Sequence, residues 1–367
     1  MNYLDAMMMV GLDIINGERT QSSIYHLLKG KKTSQTIQDA QLFGLSPQFQ
    51  IYPALRRKDY DQRLSGLLQK DFIAEKKDGI MVLTGSGKKA VSDFFNVRPV
   101  PYDLNGWKYQ KSAPIFWHRL TLMVQTASNL IHDQQRFLPV SRDIHIQNWV
   151  RNHVKQSDKA LLDYTYQIHK ELTEVLSLEN FPDTPDLVIQ KLSGFEMIGL
   201  TNQQIANKLN CEVSDVYIRF LNSLHFIMTA VEKKSADYPV LSSMMMLENT
   251  GNTLLTKSTT ETYCYLSKQY SIDQIAAIRQ LKKSTIEDHV LEIALLDPEF
   301  NINLYVHDEL NKKIQLAGGD SRRLRFIKDK VPEADYFQIR LVLATSERNG
   351  MAWRNYFMKS LGIHHSG

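Results

Sequence analysis

Cysteine is nearly absent from this chain: its 367 residues include only Cys211 and Cys264. Two thiols so far apart form neither a Cys-x-x-Cys pair nor a disulfide framework, which excludes a zinc finger and fits a reducing compartment. Long apolar runs are also missing. No uncharged stretch approaches the roughly 20 residues that a membrane-spanning helix requires. The apolar Met7, Met8 and Met9 are bracketed by Asp5 and Asp13 with no basic segment ahead of them, unlike a secretory signal. An excess of one charge is lacking too, since 44 Lys and Arg face 40 Asp and Glu, a net charge of +4. Any binding to nucleic acid must therefore come from local patches rather than from the chain as a whole.

Catalytic signatures are equally scarce. Gly85-Ser-Gly87-Lys88 invites comparison with a phosphate-binding loop, but that motif needs a glycine at 82 and Ser or Thr at 89, where Val82 and Lys89 stand. The segment leaves a strand and opens a helix, so Gly85 and Gly87 are expected to serve a turn. His118, His132, His145, His153 and His169 are scattered without metal-ligand spacing. No nucleophile elbow or Cys-His signature is present. The sequence thus names no catalytic residue, and neither a metal nor another cofactor is expected.

What the chain does contain is 43% hydrophobic and 23% charged residues, enough to build real cores, and one pattern written twice. Thr201-Asn-Gln-Gln-Ile-Ala206 through Val216 and Ser271-Ile-Asp-Gln-Ile-Ala276 through Ile286 match position for position, seventy residues apart. Each predicts a helix-turn-helix. Thr201 or Ser271 caps the first helix, Gln-Ile-Ala places a small residue where the second helix approaches, and Ser214 or Ser284 is expected to cap that second helix. Such second helices commonly lie in a DNA major groove.

The rest of the chain is expected to be mainly α-helical. Residues 1–98 read as a winged helix. Helical periodicity over Leu4 to Ile15 and Tyr60 to Leu68 leads into two short apolar runs around Asp78-Gly79, a hairpin signal, and a closing helix from Ser86 to Phe95. Val97-Arg-Pro-Val-Pro-Tyr102 marks a boundary. Residues 105–197 read as a helical scaffold, 198–232 as the first interior helix-turn-helix and 260–297 as the second. Residues 298–367 read as a C-terminal helical segment in which Gly318-Gly319 is expected to turn the chain and Tyr336 to Leu343 to be helical.

Cations gather on the elements that meet DNA in such folds. In the winged helix these are Arg63 and Lys70 by the recognition helix, Lys76 and Lys77 on the wing, and Lys88 and Lys89 at the next helix start. Wing lysines act on phosphates rather than bases. In the second interior motif Lys282, Lys283, Ser284 and Thr285 surround the start of the second helix, where hydroxyls and backbone N–H groups suit a phosphate. His289, one turn on, is placed to reach a base edge. The first interior motif differs. Glu212 and Asp215 suit the helix dipole but repel phosphate, leaving Tyr217 and Arg219 as contacts for DNA or for a protein partner.

Asn16-Gly-Glu-Arg-Thr20, Ser23 through Ser34, the Tyr263-to-Ala294 helix-turn-helix and Tyr336-Phe-Gln-Ile-Arg340 together resemble the YpbB family of Firmicutes, over nearly the whole chain. The Ser271-to-Ala294 portion is also similar to the helix-turn-helix domain at the C-terminal ends of some RecQ helicases. Members of the family are typically encoded beside a RecQ-type helicase. The resemblance implies a cytoplasmic, nucleoid-associated, non-enzymatic protein that binds DNA and assists such a helicase in DNA repair or recombination. It carries no catalytic residues over. Two alternatives stay open: an adaptor that binds the helicase without touching DNA, and a winged-helix transcriptional regulator.

Overall fold

The computed structural model describes residues 1–76, 79–155, 160–245, 255–297, 300–320, 324–346 and 356–358. Lys77 and Asp78, named above, lie outside them. The chain is mainly helical. It begins with α1 (Tyr3–Ile15), α2 (Gln21–Lys29), α3 (Ser34–Leu42), α4 (Arg57–Gln69), the strands β1 (Ile73–Glu75) and β2 (Met81–Leu83), and α5 (Gly85–Asn96). There follow α6 (Gly106–Tyr109), α7 (Ser112–Ile131), α8 (Ile144–Lys155), α9 (Ala160–Leu176), α10 (Asp186–Ile189), α11 (Asn202–Leu209), α12 (Val213–Lys233) and α13 (Pro239–Met245). The last elements are α14 (Lys257–Leu266), α15 (Ile272–Arg279), α16 (Lys283–Leu296), α17 (Asp308–Asp320), α18 (Leu324–Lys330) and α19 (Tyr336–Ser346). Two compact units result. One comprises residues 1–8 and 89–245, the other 9–88 and 255–358, so the division falls within α1 and α5.

In the second of these units the local chemistry accounts for the element ends. Ile24, Leu27 and Leu28 form the buried stripe of α2, and Gly30 closes that helix at φ 76, a conformation open to glycine. Thr33 caps α3 by accepting from the Thr36 N–H. β1 and β2 pair antiparallel with Ile73 opposite Leu83, burying Ile73 and Met81 on one face. Thr84 Oγ1 then accepts from the Gly87 N–H at 3.0 Å and starts α5. Gly87 lies in the first helical turn rather than in a connecting turn. A Cβ there would stand 2.0 Å from the Phe72 carbonyl oxygen, so its glycine allows the helix to meet the hairpin. Gly318 and Gly319 likewise lie inside α17 and not at a turn. A Cβ on Gly318 would strike Leu343 at 2.8 Å, which explains why a helix interior tolerates a glycine there. α3 and α14 to α19 pack into the same unit, with α16 touching α3, α14, α15 and α19.

The other unit has its core among α7, α9, α12 and α13, where Phe116, Leu120, Val175, Ile227 and Leu241 are completely covered. Each such side chain contributes about 1.5–3 kcal/mol of burial. Three polar groups are buried with them for stated reasons. The Glu171 carboxylate accepts from the Val240 and Leu241 N–H groups at 3.1 and 2.9 Å, satisfying the first turn of α13. Asn222 Oδ1 accepts from the Asp103 N–H and His225 Nδ1 from the Asn105 N–H, at 2.9 and 3.0 Å. These two side chains of α12 thereby fix the segment that follows the proline-containing boundary.

Candidate nucleic-acid interface

The twin motifs fold alike down to their caps. Thr201 and Ser271 each accept from the N–H three residues on, while Gln204 and Gln274 reach back to the cap N–H, forming a capping box in both places. Asn210 and Gln280 end the first helices in the left-handed region, at φ 47 and 52. Cys211 and Leu281 then donate to the carbonyls of Ala206 and Ala276. The pairs Ile205 and Ile275, and Val216 and Ile286, are buried. The second helices begin two residues earlier than the serine caps required. Glu212 and Lys282 occupy the cap positions, and Ser214 and Ser284 lie within the first turn.

At that first turn the copies part company. In the first motif Asn2 Nδ2 donates to Glu212 at 2.6 Å and the Tyr3 N–H donates to Asp215 at 2.6 Å, so the start of the chain covers the start of α12. Arg219 grips Asp183 through two hydrogen bonds of 2.7 and 2.6 Å, and Tyr217 is half-buried. The Arg219 guanidinium thus closes a loop of its own unit. In the second motif Lys282, Lys283 and Ser284 are exposed and Thr285 is half-buried at the start of α16. Lys283 leans toward Asp273 at 3.0 Å, a bond that holds its ammonium charged.

Behind that face a polar frame locks α14 to the motif. The Arg279 guanidinium is almost wholly buried and donates to the Ser258 carbonyl at 2.8 Å, to Glu261 at 2.8 Å and to the Thr262 hydroxyl. Glu292 accepts from the Thr256 N–H and the Thr259 hydroxyl, both at 2.6 Å. His289 belongs to this frame. It is 8% exposed, Nδ1 meets the Thr262 hydroxyl at 2.8 Å, and burial together with Arg279 pushes its pKa down. The expected base-edge contact is overturned, since the ring faces α14. Arg340 pairs with Asp288 from α19.

The cations of the winged-helix segment are spread over its surface. Lys70, Lys76 and Lys89 are exposed and Arg63 is half-buried. Lys88 reaches back to Asp13 at 3.1 Å, which takes up part of its charge. At the start of α4, Arg56 and Arg57 are matched by Asp59 and Asp61 one turn on, which offsets part of the positive charge there. Sequence reasoning passed over Arg279 and Glu292, the residues that hold the second motif together. Their signal was positional: Glu292 shares the α16 stripe with His289 and Ile293.

Among the described residues no helix is long and apolar enough to cross a membrane, and no group of His, Cys, Asp and Glu is arranged to hold a metal ion. A family of helix-turn-helix domains matches residues 258–343, from the start of α14 into α19. The matched region thus includes α17 to α19 as well as the α15–α16 motif. No solved structure matches the chain. Protein YpbB of Bacillus subtilis (strain 168) is 33% identical over 355 residues, covering 94% of this chain and 97% of that protein. With that identity along nearly its entire length and a helix-turn-helix domain near its C-terminal end, this chain belongs to the YpbB family.

Proposed function

We propose that this chain is a non-enzymatic DNA-binding accessory protein that assists a RecQ-like helicase in repair or recombination, with α16 as its principal DNA-facing helix. The observation that carries the reading is the contrast between the twin motifs. One has its second-helix start sealed by carboxylates and the chain terminus, whereas the other leaves Lys282, Lys283 and Ser284 exposed around helix N–H groups that suit a phosphate. Lys70 and Lys76 add phosphate-binding charge from the winged-helix segment of the same unit. The helicase supplies ATP hydrolysis, consistent with the incomplete phosphate loop at Gly85 to Lys89. The test is binding of the purified chain to fluorescent single-stranded, duplex and forked DNA, with and without the helicase. Binding by the chain alone supports the reading. No binding in any arm contradicts it.

The sealed first motif favours a second reading, in which the chain is an adaptor that docks on the helicase. That reading expects a stable complex and DNA affinity that appears only when the helicase is present.

A further inference from the structure

Beside the start of α16 lies a groove of about 840 Å³ that the helix-turn-helix argument does not use. Its walls carry the aromatic side chains of Tyr263, Tyr270, Phe300 and Tyr305. Tyr263 and Tyr270 are each 40% exposed, unusual for rings that a small helical domain has the opportunity to bury. Phe300 and Tyr305 stand nearly parallel, with planes 8° apart and centroids at 6.1 Å. Tyr270 sets its edge against Tyr265, and Tyr305 against Phe337, so both rings are held in place from behind. Gln269, Asn301 and Asp297 also line the groove and bring hydrogen-bonding groups to it.

Three features identify the occupant. Planar ring faces take planar ligands, and each base of a nucleic acid has such a face whatever its identity. Amides and carboxylates are the groups that read base edges once a base has left its pair. The groove is also continuous with the proposed DNA face, because Lys283 of α16 and Ile272 and Asp273 of α15 form part of its lining. Asp273 is paired with Lys283, so its charge is offset. Lys268 and Lys282, each next in sequence to a lining residue, are exposed and suit the phosphates of a strand that runs past the opening. Asp297 discourages a phosphate from entering but not a neutral base.

We propose that this groove receives unpaired nucleobases of a strand leaving the duplex at α16, so that the chain selects a junction between duplex and single strand. The inference rests on the reading of α16 as a DNA-facing helix. It assigns the substrate's form, which that reading leaves open.

The experiment compares a blunt duplex with the same duplex carrying a short single-stranded tail, with 2-aminopurine at the first unpaired position. The wild-type chain is expected to bind the tailed DNA about tenfold more tightly, the scale of one base–aromatic stack, and to quench the 2-aminopurine. The double variant Tyr263→Ala, Tyr270→Ala should lose both the preference and the quenching while its affinity for blunt duplex stays within about twofold. Tyr263→Phe with Tyr270→Phe keeps the rings and should retain both. Equal binding of tailed and blunt DNA by the wild-type chain would overturn the proposal and leave the α16 reading standing. So would an alanine variant that loses affinity for both DNAs in step, or one that keeps its tail preference and loses the helicase instead, which would assign the groove to a peptide. Failure to bind either DNA would overturn the α16 reading and this proposal with it.

Discussion

Acid should loosen the α7–α13 unit through one histidine. His225 is completely buried on α12, and its Nδ1 accepts the Asn105 N–H at 3.0 Å, which requires that nitrogen to be unprotonated. Burial pushes its pKa from 6.5 down to about 3. The folded chain therefore keeps the ring neutral where the unfolded chain takes up a proton. Above the ordinary histidine value of about 6.5 both states are neutral and nothing is lost. As the pH falls below it, only the unfolded state gains a proton, so stability drops by about 1.4 kcal/mol per pH unit until the folded ring titrates. At pH 5 the loss relative to pH 7 is about 2 kcal/mol. His225→Asn preserves an acceptor near the Nδ1 position and cannot titrate. It should start out less stable at pH 7, because it leaves space in the core, and then lose about 2 kcal/mol less on acidification to pH 5. Denaturant unfolding followed by tryptophan fluorescence is the assay, since Trp107, Trp117 and Trp149 all lie in this unit. Equal losses for the two proteins between pH 7 and pH 5 would refute the assignment.

Two further perturbations follow from packing and polar satisfaction. Gly87→Ala sets a methyl 2.0 Å from the Phe72 carbonyl oxygen, so α5 must shift away from the hairpin. Thermal unfolding should show a loss of about 2 kcal/mol or more, and an unchanged midpoint would mean that the helix start yields freely. Glu292→Ala strips the acceptor from the Thr256 N–H and the Thr259 hydroxyl. About 2–3 kcal/mol of stability should go with it, read as faster hydrogen exchange at the start of α14, and exchange protection equal to wild type would count against the frame.

Much of this fold was legible because its signals are local. The capping boxes at Thr201 and Ser271, the Gly79 hairpin and the α19 segment follow from residues within a few positions of one another. Other features depend on distant partners. Arg219 is matched by Asp183, thirty-six residues away, and Glu212 and Asp215 by Asn2 and Tyr3 at the far end of the chain. No local pattern announces such pairs. Gly318-Gly319 carried the signature of a turn, but Leu343 lies over Gly318 and makes the missing side chain a packing requirement. His289 was misread although its pattern was visible. Ile286, Val290 and Ile293 are buried and share its helical stripe, so the periodicity placed the ring inward while its polarity suggested solvent. The aromatic groove escaped notice because its rings come from α14, the turn after it and the segment before α17.

The most direct test of the central claim is the salt dependence of duplex DNA binding by the wild-type chain and by the variant Lys282→Glu, Lys283→Glu. Each phosphate contact that α16 makes adds about 0.9 to the slope of log affinity against log salt. The account predicts salt-sensitive binding by the wild-type chain, and in the variant both weaker binding and a slope shallower by about 1 to 2. Identical affinity and identical slope in the two proteins would contradict it and remove α16 from the DNA interface.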